Sequence, residues 1–159
     1  MKRITPNALA LMLLCSLSNG VCAQTPSHRD AQVFVSQAQI GRNLRGIALT
    51  VATQTVSFST LAAKLGRADA SSAVSKEIDA LLPKYQPKWD ENIAQAFEKS
   101  FSEEELSSLA REGQSSRYAA KVREQQGKIG MAMESSSKPI LNEMVSEALN
   151  AALSKQSLE

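Results

Sequence analysis

Stepping along the chain by three and four residues from Val33 meets Val33, Gln37, Ile40, Leu44, Ile47, Val51, Gln54, Phe58, Leu61 and Leu65, eight of the ten apolar. That spacing has the period of an α-helix, so the stretch predicts one long first helix or two nearly collinear ones. Gly41 and Gly46 each cost about 1 kcal/mol against alanine in a helix interior, and a bend is expected near them. The flanking positions Ala38, Gln39, Gly46, Ala52, Thr53, Ser59 and Thr60 are small or uncharged, with Arg45 the only charge. A two-stranded coil favours charged flanks. A wide face of small residues suits burial inside a bundle better.

Helical spacing continues beyond this stretch, and no strand alternation persists. Gly66–Ser72 reads as a turn, with Gly66 as a helix stop and the serines as caps. A short helix is expected over about 73–82, burying Val74, Ile78, Leu81 and Leu82, before Pro83 and Pro87 bracket a break. The next helix, about 88–100, carries Trp89, Ile93 and Phe97 at four-residue spacing. Further helices are expected from Ser102 to about Gly113, from Ser115 or Ser116 through Tyr118, Val122 and Ile129, and beyond Pro139. The last buries Leu141, Met144, Val145, Ala148, Leu149 and Ala152, and a polar tail from Ser154 should fray. The fold class is all-α: a single-domain helical bundle of about five or six helices with a long first helix.

The segment FSEEEL, Phe101–Leu106, sets three carboxylates behind a serine. With Ser102 as N-cap, Glu105 falls at the position of a capping box, and Phe101 and Leu106 at those of a hydrophobic staple. Glu103 and Glu104 then place negative charge at the positive end of the helix dipole. Adjacent helical residues point about 100° apart, so the triplet does not converge on one ion. It starts a helix.

The first residues change the picture. Lys2 and Arg3 precede the apolar run Ala8–Leu17, and Val21-Cys22-Ala23 ends in small residues, the three parts of a secretory signal peptide. The run is about ten residues, short of the roughly twenty that span a bilayer. Neither Cys15 nor Cys22 has the preceding residues of a lipoprotein site. Residues 1–23 are therefore expected to be cleaved after Ala23, leaving 24–159 as one exported, periplasmic domain without a transmembrane segment. Both cysteines leave with the leader, and so do Lys2 and Arg3, which brings the basic residues level with the sixteen acidic ones. Zero net charge argues against nucleic-acid binding and leaves little repulsion against weak self-association.

Candidate chemistry is sparse. His28 is the only histidine and reads as a solvated terminal residue. Without cysteine or a second histidine, the usual zinc sites have no ligands, and the Glu-x-x-His pairs of di-iron bundles are missing. No catalytic residue, cofactor or metal site is expected. Glu143 and Glu147 share a helix face and read as two solvated charges, with acid–base work as the remote alternative. Trp89, Ile93 and Phe97 are candidates for the wall of a ligand pocket, with core packing as the plainer expectation. Arg117, Lys121 and Lys128 are candidates for an anion-contact face, with Glu124 interleaved as a partner of Lys128 and a solvated face as the plainer expectation.

Trp89, Phe101, Ser102, Glu105 and Leu106, with Leu81-Leu82-Pro83 ahead of them, resemble the exported bacterial family catalogued as domain of unknown function 2059. There a tryptophan-bearing helix leads into an F-[ST]-x-x-E-L segment. The resemblance covers about residues 73–150. It departs at Glu112-Gly113, Ser115-Ser116 and Tyr118, where that family carries Phe-Tyr, Ser-Pro and Gly. It implies a helical, exported protein and no activity. The expected function is a non-enzymatic binding or interaction module of the cell envelope, its partner an unidentified envelope protein. The alternative is a carrier of a small apolar ligand or lipid, held between the first helix and the Trp89 helix.

Overall fold

A computed structural model describes residues 25–156. The expected leader, Met1–Ala23, lies outside the described residues. The described residues form six α-helices, and no strand occurs among them. In chain order these are α1 (Pro26–Gln37), α2 (Leu44–Thr53), α3 (Val56–Leu65), α4 (Arg67–Ser100), α5 (Glu103–Glu112) and α6 (Ala119–Gln156), with short 3-10 turns at Ile40–Asn43 and Gly113–Ser115. The bundle is all-α, as its spacing predicts.

The long first helix does not form. Its stretch divides into α1, a 3-10 turn, α2 and α3. The first break centres on Gln39, which adopts a left-handed backbone (φ 53°), followed by Gly41 pressed against α4. The second is made by Thr55, whose extended backbone and hydroxyl cap α3 by accepting from the Phe58 N–H at 3.1 Å. The Ile40–Thr53 and Val56–Leu65 segments meet at 79°. Breaking the helix also resets its phase. α1 buries Ala31, Phe34 and Val35 while Val33 is exposed; α2 buries Leu44, Ala48 and Ala52; α3 buries Phe58 and Leu61. Of the flanking residues expected inside the bundle, Ala38, Gln39, Gly46, Ser59 and Thr60 face outward.

The opposite correction applies to α4 and α6, which are longer than expected. α4 runs unbroken for 34 residues through Pro83 and Pro87, and α6 for 38 through Pro139. A proline inside a helix costs about 3 kcal/mol by removing a backbone donor and crowding the preceding turn. All three prolines are exposed, so the carbonyls they orphan lie on the solvent-facing side, open to water. Packing supplies the rest: α4 touches each of the other five helices. Arg67–Ser72, expected as a turn, is already helix, and Gly66 alone (φ 84°) separates α3 from α4. The tail does not fray at Ser154; α6 continues to Gln156. Its Lys155 reaches buried Glu77 of α4 at 2.6 Å.

The core is continuous, from Phe34 and Val35 through Tyr85, Trp89, Ile93 and Phe97 to Leu106, Leu109, Met144 and Leu149. Phe97 stacks on Phe101, with ring centres 5.4 Å apart, and meets Phe34 edge-on at the same separation. The capping box forms as the sequence predicts. The Ser102 hydroxyl accepts from the Glu105 N–H at 3.4 Å, and Glu105 accepts from the Ser102 N–H at 2.9 Å. Phe101 and Leu106 are both buried. Among the described residues no single helix is long and apolar enough to cross a membrane.

Two contrasts test this account. Ser102→Ala is expected to cost about 1 kcal/mol, whereas exposed Glu103→Gln should move stability by less than about 0.5 kcal/mol. A β-carbon at Gly41 would fall inside the Asp90 carboxylate, so Gly41→Ala should cost about 1–3 kcal/mol. Gly46 and Gly130 have open space where a β-carbon would sit, and alanine there should raise stability by up to about 1 kcal/mol. Urea denaturation of the five variants separates these expectations.

Candidate functional site

Trp89 is buried, with 5% of its surface exposed, yet it forms part of a wall of a surface cleft of about 480 Å3. Three elements meet there. The turn before α2 and α2 itself contribute Asn43 and Ile47, α4 contributes Trp89, and α6 contributes Gly130, Met133, Glu134, Ser137, Lys138 and Leu141. The indole N–H donates to the Asn43 side-chain oxygen at 3.3 Å, which ties α4 to the start of α2. Asn92 donates to the hydroxyl of buried Ser137 at 3.2 Å and holds α6 against α4 from behind the cleft. The walls are mostly apolar, with a few polar groups converging, the ordinary make-up of a small-molecule site. A second depression, lined by Arg42, Arg45, Gly46, Thr50 and Val51, shares Asn43 and Ile47 with the first.

Of the three residues proposed for a pocket wall, only Trp89 reaches this cleft. Ile93 and Phe97 are buried in the core farther along α4. The cleft residues that sequence reasoning missed come mainly from α6. Gly130 carried a signal: it is a glycine inside a helix, at ordinary helical angles, with no neighbour that would exclude a side chain.

Two of the three cations proposed for an anion-contact face are paired within the fold. Arg117 meets Glu104, and Lys121 lies 2.7 Å from both oxygens of Glu105 and over the Phe101 ring. The Lys121 ammonium and the Ser102 backbone hold the Glu105 carboxyl below its usual range. The glutamate triplet thus does more than start α5; it clips α5 to the beginning of α6. Lys128 is exposed, and no Glu124–Lys128 ion pair occurs among the described residues.

Two further expectations are corrected. Glu147 is not a freely solvated charge. It accepts from the Lys84 ammonium at 2.6 Å and from the hydroxyl of fully buried Tyr85 at 2.7 Å. Those bonds, Lys84 first, lower its pKa, while burial and the carboxylate raise that of Tyr85. A tyrosine pushed upward is a poor acid at neutral pH, so this is a clasp between α4 and α6. His28 is not a solvated terminal residue either: it is 8% exposed, and its two ring nitrogens lie 2.9 Å from Glu98 and 3.1 Å from Glu91. The Thr25 hydroxyl, which caps α1, also donates to Glu98 at 2.6 Å. That hydroxyl and His28 hold Glu98 low; Glu91 is low despite its burial, through Gln32, Gln95 and His28. Glu91 and Glu98 are one heptad apart on α4 and so present one face to α1. Among the described residues no group of three or more His, Cys, Asp or Glu side chains is placed to hold a metal ion.

No family model, curated protein or solved structure matches this chain.

Lowered carboxylates set the response to acid. A group whose folded pKa lies below its unfolded value binds fewer protons folded than unfolded. Its stabilisation is therefore complete above its ordinary pKa and is lost as pH falls through the lowered one. For Glu91, Glu98, Glu105 and Glu147 the ordinary value is about 4.5. Stability from these groups should hold above about pH 5 and fall below it. Replacing Glu105 or Glu147 with glutamine should lower stability at neutral pH and flatten the acid limb. Urea midpoints across that range check both.

Proposed function

We propose that this chain is a non-enzymatic binding protein of the bacterial cell envelope, exported to the periplasm behind a cleaved leader. The Trp89 cleft is its working site, and a small, largely apolar molecule its ligand. The observation that carries this reading is the cleft itself. The chain's single tryptophan is turned into a mostly apolar recess of ligand size, opposite a helical glycine that nothing in the packing requires. A recess on that scale favours the carrier form of the binding hypothesis over docking of another envelope protein. Against catalysis stands what the titratable groups are already doing: His28, Glu105 and Glu147 each clasp two helices together. The resemblance to the exported family of domain of unknown function 2059 belongs to the same proposal and adds the compartment.

With one tryptophan in the chain, fluorescence reports on the cleft directly. Titration with the neutral probe N-phenylnaphthylamine should give saturable quenching of Trp89 at unchanged helicity. Gly130→Leu, which fills the recess from α6, should abolish it without loss of stability. Non-saturable quenching in the wild type, or full binding by Gly130→Leu, would refute the cleft as the site. Export is tested separately: N-terminal sequencing of protein from the periplasmic fraction should begin at Gln24. An intact Met1 would overturn that part.

A further inference from the structure

We infer that the ligand of the Trp89 cleft is a long-chain carboxylate, its head on the cleft's hydrogen-bond donors and its chain lying along α2; this rests on the binding reading above. The polar atoms facing the cleft are unequal in kind. The Asn43 side-chain oxygen is already taken by the Trp89 indole, which leaves the amide N–H groups. The Ser137 hydroxyl already accepts from Asn92, which leaves its own O–H to donate. Lys138 has no carboxylate partner among the ion pairs of the described residues. Three donor-bearing residues thus line the cleft against one carboxylate, Glu134. A ligand with acceptor oxygens satisfies them, and a charged acceptor does so best. A neutral hydrocarbon would fill the same space and leave the donors to water.

Shape selects the rest of the molecule. Asn43 and Ile47 line both depressions, each of about 480 Å3, so the two adjoin, and a ligand spanning both would lie in a trough along α2. The rest of the second depression is lined by Gly46, Thr50 and Val51, with Arg42 and Arg45 beside them. Gly46 and Gly130 border the two depressions, and a β-carbon at either would meet nothing within 4 Å. Neither has a positive φ. Each leaves its depression open where a side chain would stand. Arg42, at the rim of the second depression, is likewise without an ion-pair partner among the described residues, whereas Arg45 is held by Asp79. The rim therefore favours an anion over a cation.

Laurate and dodecanol, kept below the concentrations at which they aggregate, share a chain length and differ in the head group. Both are titrated against the wild type, Lys138→Gln and Gly46→Leu, following Trp89 fluorescence. Laurate should bind more tightly than dodecanol. Lys138→Gln should weaken laurate by about fivefold, the scale of one exposed charge pair, and leave dodecanol unchanged. Gly46→Leu should weaken both. Lys138 is exposed and makes no ion pair, so its replacement leaves the fold intact. Equal affinity for the two probes, or a Lys138→Gln protein that binds laurate like the wild type, overturns the carboxylate inference and leaves the binding reading standing. A trough that takes neither probe overturns both.

Discussion

Every other helix among the described residues packs on α4, and that dependence fixes what the chain can tolerate elsewhere. Alone, a 34-residue helix with two prolines near its middle would break. Here its inward face carries Val74, Ile78, Tyr85, Trp89, Ile93 and Phe97, all buried, and interrupting the helix would separate that row from its partners. The prolines survive because they lie on the one face with no packing to lose. Polar bonds repeat the arrangement at α4's surface: Glu91 and Glu98 hold α1, Asp79 holds α2, and Lys84, Tyr85 and Glu77 hold α6. The bundle is a set of helices hung on one rod.

That architecture explains which parts of the fold were legible in the sequence. The capping box at Ser102 and Glu105, the stop at Gly66 and the inward row Trp89–Ile93–Phe97 depend on residues within a turn or two of one another, and local spacing reveals them. Pro83, Pro87 and Pro139 misled for a definite reason. A proline's effect depends on whether the face it occupies is wet or packed, and spacing alone does not say which. The stripe from Val33 to Leu65 misled in the opposite direction. Its period is helical throughout, but the Thr55 cap and the close approach of Gly41 to Asp90 cut it. Gly41 was visible as a place for a bend, but its cause was not, because the atom that requires a glycine there belongs to a residue 49 positions later; Thr55 left no break in the spacing.

Ion pairs were the least legible feature. His28 with Glu98, Lys84 with Glu147 and Lys155 with Glu77 join residues 70, 63 and 78 apart in sequence. Each half looks like a solvated charge until the helices are assembled. Together they convert most of the chain's candidate acid–base groups into helix clasps, and this is the physical content of its sparse catalytic inventory. The cleft was half legible. Trp89 pointed inward by spacing, but the opposite wall depends on where α6 lies against α2.

The wall contributed by α6 shows how the proposed site and the fold's stability are linked. From residue 123 to residue 139 this helix buries only Ile129 and Ser137, and it contains Gly127, Gly130, three consecutive serines and Pro139. Each is a poor helix former, and few apolar contacts offset them. On either side α6 is well anchored, by Lys121 on Glu105 before the segment and by Met144, Val145, Ala148 and Leu149 after it. Local opening is easiest where burial is least, so the part of α6 facing Trp89 separates from α4 at lower free-energy cost than either end. Gly127 and Gly130 could be alanine without steric conflict, and the helix would then be firmer. Retaining them keeps the recess wide and its outer wall loose. The extended ligand proposed above would then have an entry to the trough that does not require unfolding the α4 core.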